Sequence, residues 1–233
     1  MKKTKVVLWD FDGTLAHRNG FFSEVLLEIL DEYEEVHYYK IDEIRSFLMD
    51  GFPWHHPEHQ HFELNNDAKA WWDLVEKVFI RAYEGIGLDN ERAMKYAKLA
   101  HFRYIDSKRF VLYEDTEEVL KHFVNLGWEN IILSNHVPEL STIVKKLGLD
   151  PYIQDCISSA NVGYEKPNPE IFRLALRKTG HPDEVWMVGD NYQADIKGAE
   201  SMGIDAILVR NEFREDAKHY AKNLWGVVQI IIK

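Results

Sequence analysis

The sequence predicts an α/β protein: a doubly wound, mostly parallel sheet with an all-helical insertion after its first strand. Three observations lead there. Short apolar runs of strand length alternate with stretches of helical period through the second half of the chain, the pattern of strands joined by crossover helices. Between about Gly20 and Ser107 that alternation stops and helical periodicity alone remains. Acids or hydroxyl residues follow directly on several apolar runs, where the carboxyl ends of parallel strands open onto a ligand crevice.

The first element is the apolar run at residues 6–9, a buried strand candidate, with Asp10 and Asp12 immediately after it and Gly13 permitting a sharp turn. Period-two geometry puts the two acids on one side if the strand persists that far. Crowded carboxylates repel, so such a site needs a cation to neutralise one or a proton on the other. Both serve phosphoryl transfer, where one aspartate attacks phosphorus and the other carries the leaving group's proton. Taken alone, the pair reads equally well as a turn motif, since Asp-Gly turns are common.

Next comes the helical block. Phe22, Leu26, Ile29, Leu30 and Tyr33 recur at helical spacing, as do Trp71, Leu74, Val75, Val78, Phe79 and Ala82. Asn66 or Asp67 caps the second of these helices, Gly85 or Gly87 ends it, and a third runs from Asn90 towards Ile105. We expect residues 19–107 to form an inserted cap on a core of residues 1–18 and 108–233, with linkers near residues 17–20 and 106–110. The acidic run at residues 31–35 reads as a solvated helix end, and Trp71 and Trp72 as packing. Four histidines at residues 55–61 invite a zinc reading, but Pro57 breaks any helix that would align them, so a solvated loop at the site's mouth is expected.

The alternation then resumes. Helices are expected near residues 116–126, 138–147, 168–179 and 194–202, closed by Gly127, Gly148, Gly180 and Gly203. Strands are expected at residues 131–133, 154–158, 185–188, 206–209 and 227–232.

Within this frame Asp10-Phe11-Asp12-Gly13-Thr14, Ser134 after an apolar run, Lys166-Pro167, and Gly189-Asp190 with Asp195 occur in order. In this the chain resembles the haloacid dehalogenase-like hydrolase superfamily, over about residues 1–18 and 108–212. The resemblance implies an Asp10 nucleophile and an Asp12 acid and base. It implies Mg²⁺ held by Asp10, the Asp12 carbonyl and Asp190, with Asp195 behind them orienting water or lysine. Ser134 and Lys166 would cradle the phosphate, helped by Gly13 and Asn135. An acid at position 12 favours phosphoryl chemistry, because a departing halide needs no proton. The expected activity is hydrolysis of a small phosphorylated metabolite such as a sugar phosphate or nucleotide. A phosphomutase shares the core motifs, and a phosphonatase needs a cap lysine such as Lys40, Lys69 or Lys77. A silent binding protein is disfavoured by the intact charged set.

Composition narrows the partners. With 233 residues and 45% apolar content, the chain can bury one sizeable core and a smaller satellite. A net charge of -11 argues against nucleic acid and anionic lipid, and makes phosphate binding depend on local cations. The single cysteine, Cys156, reads as a buried strand residue and points to a reducing compartment. The start at Lys2, Lys3 and Lys5 mimics a signal peptide, yet only four apolar residues precede Asp10. No apolar run approaches spanning length, so a cytoplasmic protein without a membrane partner is expected.

Overall fold

The computed structural model describes residues 4–18, 20–64 and 66–232; the basic start at Lys2 and Lys3 lies outside them. In chain order the elements are β1 (Lys5–Trp9), β2 (Ala16–Arg18), α1 (Phe22–Tyr33), α2 (Ile41–Phe47), α3 (Ala68–Gly85), α4 (Asn90–Tyr104) and β3 (Phe110–Leu112). There follow α5 (Thr116–Asn125), β4 (Glu129–Ser134), α6 (Leu140–Lys146), β5 (Asp155–Ser158), α7 (Ser159–Val162), α8 (Pro169–Lys178) and β6 (Glu184–Gly189). A π-helical turn (Tyr192–Lys197) then runs into α9 (Gly198–Glu200), before β7 (Asp205–Val209), β8 (Tyr220–Ala221) and α10 (Leu224–Ile231).

Six strands form one parallel sheet in the order β5-β4-β1-β6-β7-β8. The chain fills one side of β1 and then crosses to the other, so the winding reverses at β1 and a crevice opens at its carboxyl end. Trp9 pairs with Ile132 on β4 and Val188 on β6, which brings the three strand ends level. Val7 and Trp9 join one apolar cluster, Val6 and Leu8 the other, as period-two geometry requires of a strand covered on both faces.

Helices α1 to α4 pack on one another between β2 and β3. The α3 N-terminus is capped by Asp67, whose side chain accepts from Ala70 N at 2.9 Å, and its inner face buries Trp71, Trp72, Val75 and Phe79. The two expected linkers pair with each other as an antiparallel ribbon, Ala16 with Leu112 and Arg18 with Phe110; three-residue strands are too short to show a period. The acidic run is exposed, as expected, except at Glu34, which accepts from Tyr96 Oη at 2.8 Å and from Arg92, tying α1 to α4.

One expected strand is wrong. Residues 227–231 lie in α10, where Leu224, Val227, Val228 and Ile231 bury one face and Asn223 caps by accepting from Gly226 N at 2.9 Å. A short all-apolar run looks alike under either period, and the deciding residue, Leu224, lies outside it. The sheet edge is taken instead by β8. The helix expected at residues 194–202 starts earlier, with a π-helical first turn capped by Asn191. Cys156 lies on β5, partly buried, and burial pushes its thiol up to about 12, which makes it unreactive. No helix among the described residues is long and apolar enough to cross a membrane.

Candidate active site

Strand β1 runs straight into the site. Asp10 follows its last residue, and the Asp10 N–H still donates to Val188 O at 2.9 Å, so the sheet fixes its backbone. Beyond it, the N–H groups of Leu15 and Ala16 both return to Phe11 O at 3.0 Å and close a tight turn over Asp12, Gly13 and Thr14. Gly13 has φ 83°, and a Cβ there would lie 2.3 Å from Asp190 Oδ2, so only glycine lets the turn approach the acid after β6. Gly189 does the same for Asp195, whose Oδ2 would be 2.1 Å from an added Cβ.

Lys166 is the hub of the charged cluster. Its Nζ donates to Asp10 Oδ1 at 2.7 Å and to Asp195 Oδ1 at 2.5 Å, with all three side chains nearly sealed from water. Burial opposes the ammonium charge, but the Asp10 and Asp195 carboxylates outweigh it and raise the pKa. Asp195 Oδ2 also accepts from Asn191 N at 2.9 Å. The Asn135 amide donates to Lys166 O at 2.8 Å and accepts from Lys166 N at 2.7 Å, so this side chain clamps the lysine's backbone.

Asp10, Asp190 and Asp195 offer carboxylate oxygens within 4.8 Å of one another. Burial, reinforced by the charges of Asp10 and Asp195, pushes Asp190 up to about 7, and burial lifts Asp195 to about 6. Three acids facing one lysine leave a deficit of positive charge. An oxygen-only donor set of this kind suits a hard divalent cation. Asp195 is already committed to Lys166 and Asn191, which leaves Asp10 and Asp190 as the carboxylates able to ligate one.

Asp12 stands apart from that cluster. Its Oδ1 is buried without a partner among the described residues, and its Oδ2 lies 3.3 Å from His136 Nε2, at ion-pairing distance but not in an aligned hydrogen bond. His136 itself is fixed: its N–H donates to Ser159 Oγ at 3.1 Å and its carbonyl accepts from Ser158 Oγ at 2.6 Å. Sequence reasoning passed over His136, although it directly follows Ser134 and Asn135. It also passed over Glu165, buried beside the lysine, whose carboxyl burial pushes up to about 7.

Asp10, Asp12, Ser134, Lys166, Asp190 and Asp195 line one chamber of about 720 Å³. Ser134, the last residue of β4, is buried in its floor. The helical insertion supplies the opposite side through Phe22, Phe52, Trp54, Trp71 and Tyr104. Trp71 thus does more than pack, and the helical patterns gave no sign that these rings share a wall. In the histidine loop, Trp54 and Pro57 reach the chamber, while His56, Glu58 and His59 are exposed with ligand atoms within 4.8 Å of one another.

A sequence profile of the family described as haloacid dehalogenase-like hydrolase matches residues 4–203. The chain is 37% identical to a phosphoserine phosphatase of Thermus thermophilus over 156 residues, which are 64% of this chain and 61% of that protein. It spans about three fifths of the length of that relative. It is 27% identical to a glyceraldehyde 3-phosphate phosphatase of Methanopyrus kandleri over 217 residues, covering 91% of this chain and 86% of the relative. The fold matches a crystal structure of 2-haloacid dehalogenase from Pseudomonas syringae pv. Tomato with a TM-score of 0.70 at 23% identity, over 98% of both chains.

Proposed function

The chain belongs to the haloacid dehalogenase-like hydrolase family, and we propose that it is a cytoplasmic phosphatase of a small phosphomonoester, acting through an aspartyl-phosphate on Asp10. The observation that carries this reading is Asp12, an acid with a buried, unpartnered oxygen in the same chamber as Asp10. An ester oxygen leaves only with a proton, and in this reading Asp12 gives one. The two curated relatives are named for phosphomonoester hydrolysis, which supports the same class.

In this reading Lys166, itself fixed by Asp195, holds Asp10 Oδ1, and Oδ2 attacks phosphorus. The P–O ester bond breaks, and the departing alkoxide takes the proton of Asp12. Water then attacks the phosphorus of the aspartyl-phosphate, gives a proton to Asp12, and releases inorganic phosphate and the Asp10 carboxylate. Lys166 and the Ser134 hydroxyl donate to the phosphoryl oxygens, where charge gathers. Asp10, the Asp12 carbonyl and Asp190 would hold Mg²⁺, which supplies the positive charge the three acids lack. The proposed cap is the helical insertion, carried on the β2–β3 ribbon. A phosphonatase is disfavoured, because Lys40, Lys69 and Lys77 are all exposed and none lines the chamber.

The test is phosphate release from a panel of phosphorylated metabolites with Mg²⁺ and with chelator. Magnesium-dependent release supports the reading. Transfer of the phosphoryl group between sugar hydroxyls without release would make the protein a mutase.

A further inference from the structure

The chamber's outer half has a chemistry of its own. Phe22, Phe52 and Trp54 stack with nearly parallel planes: Phe52 and Trp54 are 4.4 Å apart at 10°, and Phe22 and Phe52 are 5.3 Å apart at 15°. Tyr104 joins the wall at a tilt, 4.1 Å from Phe22 at 31°. The wall extends to the surface through Phe21 and Met49, which are 59% and 74% exposed. Large apolar groups left open beside a catalytic crevice mark a surface meant to be covered.

Charge and hydrogen bonding narrow what covers it. The only lysine or arginine side chains lining the chamber, among the described residues, are Lys166 and Arg45. Lys166 is held by Asp10 and Asp195. Arg45 is held by Glu24 at 2.6 Å and Asp42 at 3.3 Å. Both cations are therefore already paired with carboxylates of the protein. Among the rings of the insertion a donor is free: the indole N–H of Trp71, a residue 1% exposed that lines the chamber, is buried without a partner among the described residues, while on the sheet side the His136 ring nitrogens also lack one. A polyhydroxylated leaving group would lose water against this wall and find few partners.

We propose that this half of the chamber selects phosphomonoesters whose leaving group is an uncharged, planar aromatic ring bearing a hydrogen-bond acceptor. The ring stacks against the wall of Phe52 and Trp54, and the acceptor takes the Trp71 N–H. The reaction is the one above, with the P–O bond cleaved, one water consumed, and the ring-bearing alcohol and inorganic phosphate released. The proposal rests on the phosphatase reading.

The test compares kcat/KM on pyridylmethyl, benzyl, cyclohexylmethyl and ethyl phosphate, all of which release a primary alkoxide, so that differences report on binding rather than on departure. Benzyl phosphate should exceed ethyl phosphate by about 10- to 100-fold, and exceed cyclohexylmethyl phosphate as well, because stacking adds to area burial. One of the pyridylmethyl isomers should exceed benzyl by about fivefold, and Trp71→Phe should erase that margin, bringing the two esters to equal kcat/KM. Trp54→Ala should lower the ratio of benzyl to ethyl phosphate kcat/KM towards one. Equal or better turnover of ethyl phosphate, or of phosphorylated sugars and amino acids, overturns the inference with the phosphatase reading intact. Absence of turnover on every ester in Mg²⁺ overturns both.

Discussion

On the sheet side of the chamber, Asp10, Lys166 and Asp195 are buried and locked to one another at 2.5 to 2.7 Å. On the insertion side, rings stack at 4.1 to 5.3 Å and end in exposed Phe21 and Met49. The first wall is built from charge that tolerates no displacement, since each buried carboxylate depends on the same ammonium. The second is built from dispersion and area, which tolerate sliding and repacking. In the proposed reading chemistry and selection are thereby separated: one wall can vary with the substrate while the other stays fixed to the sheet.

Substitutions should divide along that line. Asp10→Asn should lower activity on every ester by about a thousandfold or more, with thermal stability near that of the parent, because shape is kept and the nucleophile is lost. Substrate-dependent loss would dissolve the distinction between the walls. Asp12→Asn should cost alkyl esters about 10²- to 10⁴-fold and activated aryl esters much less, since a nitrophenolate departs without a proton. Equal losses on both would strip Asp12 of its acid role.

Glu165→Gln probes the fixed wall through stability. Burial raises the Glu165 pKa from 4.5 to about 7, so the folded state holds a proton that the unfolded state releases. The native glutamate therefore costs stability as pH rises from 4.5 to 7. Glutamine should give no gain below that window and about 1–3 kcal/mol above it, read from denaturant unfolding at several pH values. A gain independent of pH would mean that Glu165 is not held neutral. The smallest effect is expected from His56→Ala with His59→Ala. Generic aryl phosphate turnover should stay within about threefold, because the core alone carries that chemistry. Stoichiometric zinc in the parent, lost in the variant together with thermal stability, would make the loop a metal-stapled element.

What was legible in the sequence follows from the same division. Asp10, Ser134 and Asp190 each sit where an apolar strand ends, so local pattern and chemistry coincide and the residues announce themselves. Lys166, in a loop, was readable only through its order among the others. The aromatic wall was not readable, because Phe22, Phe52, Trp54 and Tyr104 come from separate segments and meet only after the helices pack. Asn135 illustrates the same gap: nothing in the local pattern tells that its side chain bonds the backbone of Lys166. The helix α10 was mistaken for a strand because its apolar run was read without Leu224.

The central claim is that Asp10 becomes covalently phosphorylated. The direct measurement uses the Asp12→Asn variant with an activated aryl phosphate and Mg²⁺, where attack proceeds without the acid but hydrolysis lacks its base. The reaction is quenched with borohydride, which reduces an aspartyl-phosphate to homoserine, and the peptides are read by mass spectrometry. Homoserine should appear at position 10 only when substrate was present, and not when Asp10→Asn is added to the variant. Reduction at another acid, or nitrophenolate release with position 10 unchanged, would contradict an Asp10 nucleophile.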